Sequence, residues 1–120
     1  ITVGSIDTAG SKKGIEFKGH KFDIEYGEFS DYLVEVNAYL KETQSTALMK
    51  PKENDQKYIE HYQTGSIEAH KDSQREWVKD KGPVVESNQG WIETYIDPEN
   101  SRAYFEGWVA IVDKEKSEKF

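Results

Sequence analysis

The apolar residues of this 120-residue chain change their period twice, and that change constrains the fold more than any other feature. In GIEFKGHKFDIEYGEF, residues 14 to 29, Phe22, Ile24 and Tyr26 alternate with Asp23 and Glu25. Period two predicts a half-buried strand. Ile15 and Phe17 supply its hairpin partner, with the turn near Lys18-Gly19. From Ser30 the spacing becomes helical. Ser30 is placed to cap free backbone N–H groups, and Phe29 and Val34 stand where a hydrophobic staple would pack. Tyr32, Leu33, Val36, Tyr39 and Leu40 form the apolar stripe of that helix.

The run TQSTALMKPKEN breaks the helix at Pro51. A second helix, about 52 to 64, carries Tyr58, Ile59 and Tyr62 and ends at Gly65, a residue suited to a left-handed cap. Ser66 caps a third, IEAHKDSQREWVKDK, which Gly82-Pro83 ends. The period then returns to two. PVVES and GWIETYID read as extended, and SRAYFEGWVAIVD as another strand before a helix starting near Asp113. Residues 1 to 14 are small, polar and glycine-rich, and are expected to be an irregular leader. The order is a strand pair, three helices, strands and a helix start, which predicts an α+β domain over 15–120.

Composition narrows the function classes. A net charge of -7 argues against a nucleic-acid partner, whose phosphates call for clustered Lys and Arg, while it permits cationic ligands. There is no cysteine, hence no disulfide, thiolate metal site or cysteine nucleophile. No apolar run approaches the roughly 20 residues needed to span a bilayer, and the start lacks the order of a signal peptide. A cytoplasmic setting, away from membranes, is expected. The first residue is not Met and the last run, VDKEKSEKF, stops inside a helix start, so the chain is expected to be a piece of something longer.

Candidate chemistry is concentrated in one stretch. His20, His61 and His70 are scattered without paired spacing, so no metal site is expected from them. In GWIETYIDPENSRAYFEGW, residues 90 to 108, two strands rich in large apolar groups carry Glu93 and Glu106. A carboxylate among Trp, Ile and Tyr is costly to dehydrate unless something positive meets it. Alternation would put Glu93 and Tyr95 on the face of Trp91, and Glu106 on that of Tyr104 and Trp108. Two readings stand. The carboxylates pair with Arg102 or a lysine at a sheet edge. Alternatively, with aromatic neighbours, they receive a ligand ammonium group by charge pairing and cation–π attraction.

The stretch from about 58 to 120 resembles the dipeptidyl peptidase III family of zinc exopeptidases. The matching elements are GSIEAHK, the Trp77 and KDKGP-VVES run, GWIETYIDP and SRAYFEGWVA. FKGHKFDIEYGEFSDYLVEVNAYL is similar to the family segment before them, so the resemblance runs over about 15 to 120. It implies a fragment of the lower lobe, a β-barrel with helices, of a two-lobed metallopeptidase that removes dipeptides from the N-terminus of short peptides. The zinc of the complete enzyme would be held by an HExxGH motif and a later glutamate, both outside this segment. Catalytic residues are therefore not expected here, and the remaining segments of the enzyme are implied partners. By position, the family's holders of the substrate's free amino group correspond to Glu93, Tyr95 and Glu106. This resemblance favours the ammonium reading.

The surroundings depart from the family pattern. Asn88-Gln89 precede the glycine, Ile96 stands where Arg is usual, and Glu99-Asn100 follow Asp97-Pro98. Trp91 and Trp108 replace Phe, and Tyr104 replaces Glu. A divergent member acting on a non-peptide substrate, like the branch described as acting on aflatoxin, is one alternative. A binding-only module is another.

Overall fold

The computed structural model describes residues 1–45 and 53–119. The expected break at Pro51 lies outside them. The chain divides into two compact units, Ile1–Lys79 and Asp80–Phe120. Helices and two small antiparallel or mixed sheets make an α+β structure, and the described strands do not close a barrel. No helix among the described residues is long and apolar enough to cross a membrane.

In the first unit, β1 (Thr2–Gly4), β2 (Lys12–Phe17) and β3 (His20–Glu28) form one sheet in the order β1-β3-β2. The β2–β3 hairpin is the one the alternation predicts. Phe17 pairs with His20, and the two residues between them have φ of 50° at Lys18 and 79° at Gly19. Two positive φ values match the right-handed twist of a tight hairpin. Phe22, Ile24 and Tyr26 are half-buried along β3, as period two requires.

The leader is not irregular. β1 pairs in parallel with β3, and the chain after it is stitched to the sheet and to a helix end. The fully buried Ser5 accepts a bond from the Gly27 N–H (2.9 Å), and Ile6 and Asp7 donate theirs to the carbonyls of Tyr62 (2.9 Å) and Gln63 (2.8 Å). These residues are ordered by hydrogen bonds rather than by apolar burial, so hydrophobic periodicity carries no trace of them. Glycine makes the close approach possible. A Cβ at Gly10 or Gly65 would stand 2.8 or 2.9 Å from the Tyr26 ring.

Helix α1 (Ser30–Ser45) starts one residue earlier than a Ser30 cap implies. Phe29, at φ 61°, turns the chain out of β3, and its carbonyl accepts from Leu33 N at 3.0 Å. Phe29 and Val34 stay about half exposed rather than closing a covered staple. The buried stripe is Leu33, Asn37 and Leu40, while Tyr32 and Tyr39 are 72% and 68% exposed. In the interior the Asn37 amide donates to the Ile59 carbonyl (3.2 Å), which offsets part of the loss of hydration.

Helices α2 (Glu53–Thr64) and α3 (Ile67–Trp77) complete the unit. Gly65, at φ 73°, donates its N–H to His61 O, and Ser66 Oγ accepts from Ala69 N (3.2 Å), both as expected. α3 ends four residues before the predicted Lys81. Its last turn is tightened by Lys79 N donating to Glu76 O, a three-residue closure that releases the helix before Gly82. Leu33, Leu40, Tyr58, Ile59, Tyr62 and Ala69 are the buried hydrophobic residues among those described.

The second unit is a hairpin of β4 (Val85–Glu93) and β5 (Tyr104–Ile111), followed by the short α4 (Lys114–Ser117). Asp113 caps α4 by accepting from Lys116 N, at the helix start that the sequence predicts.

Candidate functional site

The β4–β5 register decides which side chains can act together. Gly90 lies opposite Glu106, Trp91 opposite Phe105, and Glu93 opposite Tyr104. One extra residue, Ile92, therefore stands on β4 between the last two pairs, a bulge that re-aims the side chains beyond it. Directly opposed residues share a face. Trp91 and Phe105 occupy one face, their rings edge-on at 5.3 Å between centroids. Tyr104, Glu106 and Trp108 alternate onto the other, and the register brings Glu93 to them.

This corrects the simple alternation, which put Glu93 with Trp91. The correction gathers the two carboxylates more closely. Glu93 is the diagonal neighbour of Glu106, with roughly 7 Å expected between such Cβ atoms. Gly90, opposite Glu106, presents no side chain of its own there.

Tyr95 sits differently from the expected strand position. It lies beyond the end of β4 in a turn closed by Asp97 N donating to Thr94 O (3.0 Å), and it is 74% exposed. The strand register brings Glu93 and Glu106 together but does not extend to Tyr95.

Arg102 does not pair with either glutamate. Its Nε and Nη2 reach Asp97 Oδ1 at 2.8 and 2.6 Å. The other carboxylate oxygen accepts from Ser101 N (2.9 Å), Ser101 Oγ (3.3 Å) and Arg102 N (3.0 Å). Asp97 is only 5% exposed, and these bonds, led by the Ser101 and Arg102 backbone N–H groups, hold its carboxyl far below the usual carboxylate range. Among the described residues, neither Glu93 nor Glu106 takes part in an ion pair or a side-chain hydrogen bond. The structural reading of the two glutamates thus loses Arg102 as a partner.

Alternation does not single out Asp97, although the sequence carries a signal for it. An Asp-Pro with Ser-Arg four and five residues after the Asp can fold back on its own carboxylate, as Asx-type turns do.

A second constellation lies in the first unit. His61 and His70, nine residues apart in sequence, have ring centroids 5.0 Å apart because Gly65 and Ser66 reverse the chain between α2 and α3. His61 Nδ1 donates to the Ser66 carbonyl at 2.9 Å. Burial lowers the pKa of both rings below the usual histidine value. Burial thus disfavours protonation of either imidazole. Two rings are too few for a closed zinc site, and no group of three or more His, Cys, Asp or Glu is gathered among the described residues.

The model of peptidase family M49 matches residues 1–120, including the leader that the sequence motifs left out. Dipeptidyl peptidase 3 of Rattus norvegicus is 43% identical over 109 residues, covering 90% of this chain and 15% of the relative. That of Homo sapiens has the same identity and coverage. Dipeptidyl peptidase 3 of Dictyostelium discoideum is 40% identical over 121 residues, covering all of this chain and 18% of the relative. The chain thus spans less than one-fifth of the length of these relatives. With the family model matched along its whole length, the chain belongs to peptidase family M49.

Proposed function

We propose that this chain is the substrate-binding part of a dipeptidyl peptidase III-like enzyme, and that Glu93, Glu106 and Tyr95 receive the N-terminal ammonium of a short peptide. The supporting observation is the pair of carboxylates on one face of the hairpin, with the nearest arginine engaged by Asp97. An exopeptidase measures its cut from the chain end. Two fixed carboxylates recognise that end by charge-assisted hydrogen bonds, and the rings of Tyr104 and Trp108 on the same face add cation–π attraction. Release of dipeptides and a cytoplasmic setting belong to the same proposal. Zinc, in the complete enzyme, would polarise the scissile carbonyl. In this reading the segment's part is binding and orientation.

The test uses the full-length polypeptide. Glu93→Gln and Glu106→Gln keep shape and remove charge. Each is expected to cost about 1.5–3 kcal/mol, the net worth of a hydrogen bond to a charged group, seen as roughly 10- to 150-fold lower kcat/KM with metal content unchanged. A peptide with an acetylated N-terminus has no ammonium to lose. Wild type is expected to reject it, and the variants to discriminate against it far less. Full activity of both variants on free peptides would sink the proposal.

A further inference from the structure

The turn between β4 and β5 is more heavily bonded than its job of reversing the chain requires. Two successive closures build it, Asp97 N to Thr94 O (3.0 Å) and Asn100 N to Asp97 O (2.9 Å), with Asn100 in the left-handed region at φ 49°. Thr94 Oγ1 donates across its mouth to Asn100 Oδ1. The Asp97 carboxylate then binds the return arm through Ser101 and Arg102. Thr94 follows Glu93, and Arg102 stands two residues before Tyr104, the cross-strand partner of Glu93. Arg102 is thus a cation within a few residues of the pair of glutamates along the hairpin, and its own side chain is 77% exposed. Without the buried carboxylate that holds it, it would be free to turn toward them.

We infer that Asp97 is a positioning residue for the Glu93–Glu106 pair: it closes the turn that fixes their register and holds Arg102 away, leaving both carboxylates open to a primary ammonium. The inference rests on the proposed ammonium role of the glutamates. It assigns the accessibility of that pair to a third carboxylate which touches no substrate.

The experiment compares free and N-acetylated peptides on the full-length polypeptide. Asp97→Asn weakens the hold on the guanidinium, and is expected to lower the preference for the free N-terminus at least tenfold. Adding Arg102→Gln removes the released competitor and is expected to restore most of that preference. A loss of folding would not be repaired in this way, because the second substitution returns no bond to the turn. Arg102→Gln alone leaves the backbone bonds to Asp97 in place and is expected to keep the wild-type preference.

Three outcomes overturn the inference. One is an Asp97→Asn enzyme that discriminates like wild type, and another is a double variant no better than Asp97→Asn. The third is a loss of preference in Arg102→Gln alone, which counts whether or not Asp97→Asn folds. The underlying ammonium reading is judged separately by Glu93→Gln. If that variant keeps full preference, both fall, whereas if it loses preference while the Asp97 series shows no rescue, only the present inference fails.

Discussion

The two units are organised around opposite kinds of interior. In the first, six hydrophobic side chains are buried beside five polar ones among the described residues, with Tyr62 fully covered and stacked on Tyr58 at 5.9 Å between centroids. In the second, no hydrophobic side chain is buried among the described residues, and the covered side chain is the Asp97 carboxylate. Apolar burial is non-directional and rewards any close fit. A carboxylate bound by several N–H and O–H donors dictates direction. The first unit is therefore built for stability, and the second holds a particular geometry at a turn. A pair of glutamates on a two-stranded hairpin depends on the second kind of order, because such a ribbon has little apolar burial of its own to fix it.

The sharpest way to break this comparison is to empty the first interior. Tyr62→Ala removes a fully covered ring and is expected to cost about 3–5 kcal/mol, the usual range for a buried large aromatic. Chemical denaturation followed by helical circular dichroism measures it. A cost below about 1 kcal/mol would mean that the first unit is not held by its apolar core.

Acid should separate the units next. The lowered pKa values of His61 and His70 mean that the unfolded chain takes up protons from about pH 6.5 downward while the folded rings do not. Stability of the first unit is therefore complete above that value and declines as pH falls toward the lowered values. The Asp97 carboxyl keeps its charge through this range and yields only at far lower pH. Followed by NMR from pH 7.5 to pH 4.5, the amide shift of Ala69 is expected to move while that of Ser101 stays in place. Simultaneous movement would remove the distinction.

The smallest effect is expected at Ile111, 83% exposed on β5. Ile111→Thr should change the stability of this segment by no more than about 0.5 kcal/mol, as surface substitutions usually do. A larger loss by thermal denaturation would reveal apolar support in the second unit that the exposure does not show.

Much of this was legible in the residues because local rules carried it. Lys18-Gly19, Gly65, Ser66 and Asp113 each stand where a turn or cap requires their chemistry, and each is found there. Ser30 was legible as a helix start but not as a position, since a positive φ at Phe29 took the capping role. The illegible features are those set by distant partners. Asn37 replaces the tyrosines in the buried stripe only because the Ile59 carbonyl is there to meet it. Glu93 changes face because a bulge at Ile92 breaks an alternation that the sequence alone shows as unbroken. The two candidate glutamates were visible as carboxylates in apolar strands. That Arg102 belongs to Asp97 was not, since three carboxylates within a few residues compete for it on paper.

The stitching of residues 1 to 7 also says something about the order in which the first unit forms. The Lys18-Gly19 hairpin joins neighbours in sequence and can close in microseconds. By contrast, the Gln63 amide reaches Asp7 Oδ1 (2.6 Å) across a separation of 56 residues, a closure whose entropy must be met before its bonds return anything. β1 can add its parallel ladder only where β3 exists, and Ile6 and Asp7 can dock only once α2 has brought Tyr62 and Gln63 to them. Residues that precede all their partners in the chain are thus expected to be the last in place. Pulse-labelled hydrogen exchange should show the Ile6 and Asp7 amides protected after those of the hairpin, and earlier protection would contradict that order. Until then one edge of β3 stands open, and the unit depends on β1 and the residues just after it to close that edge.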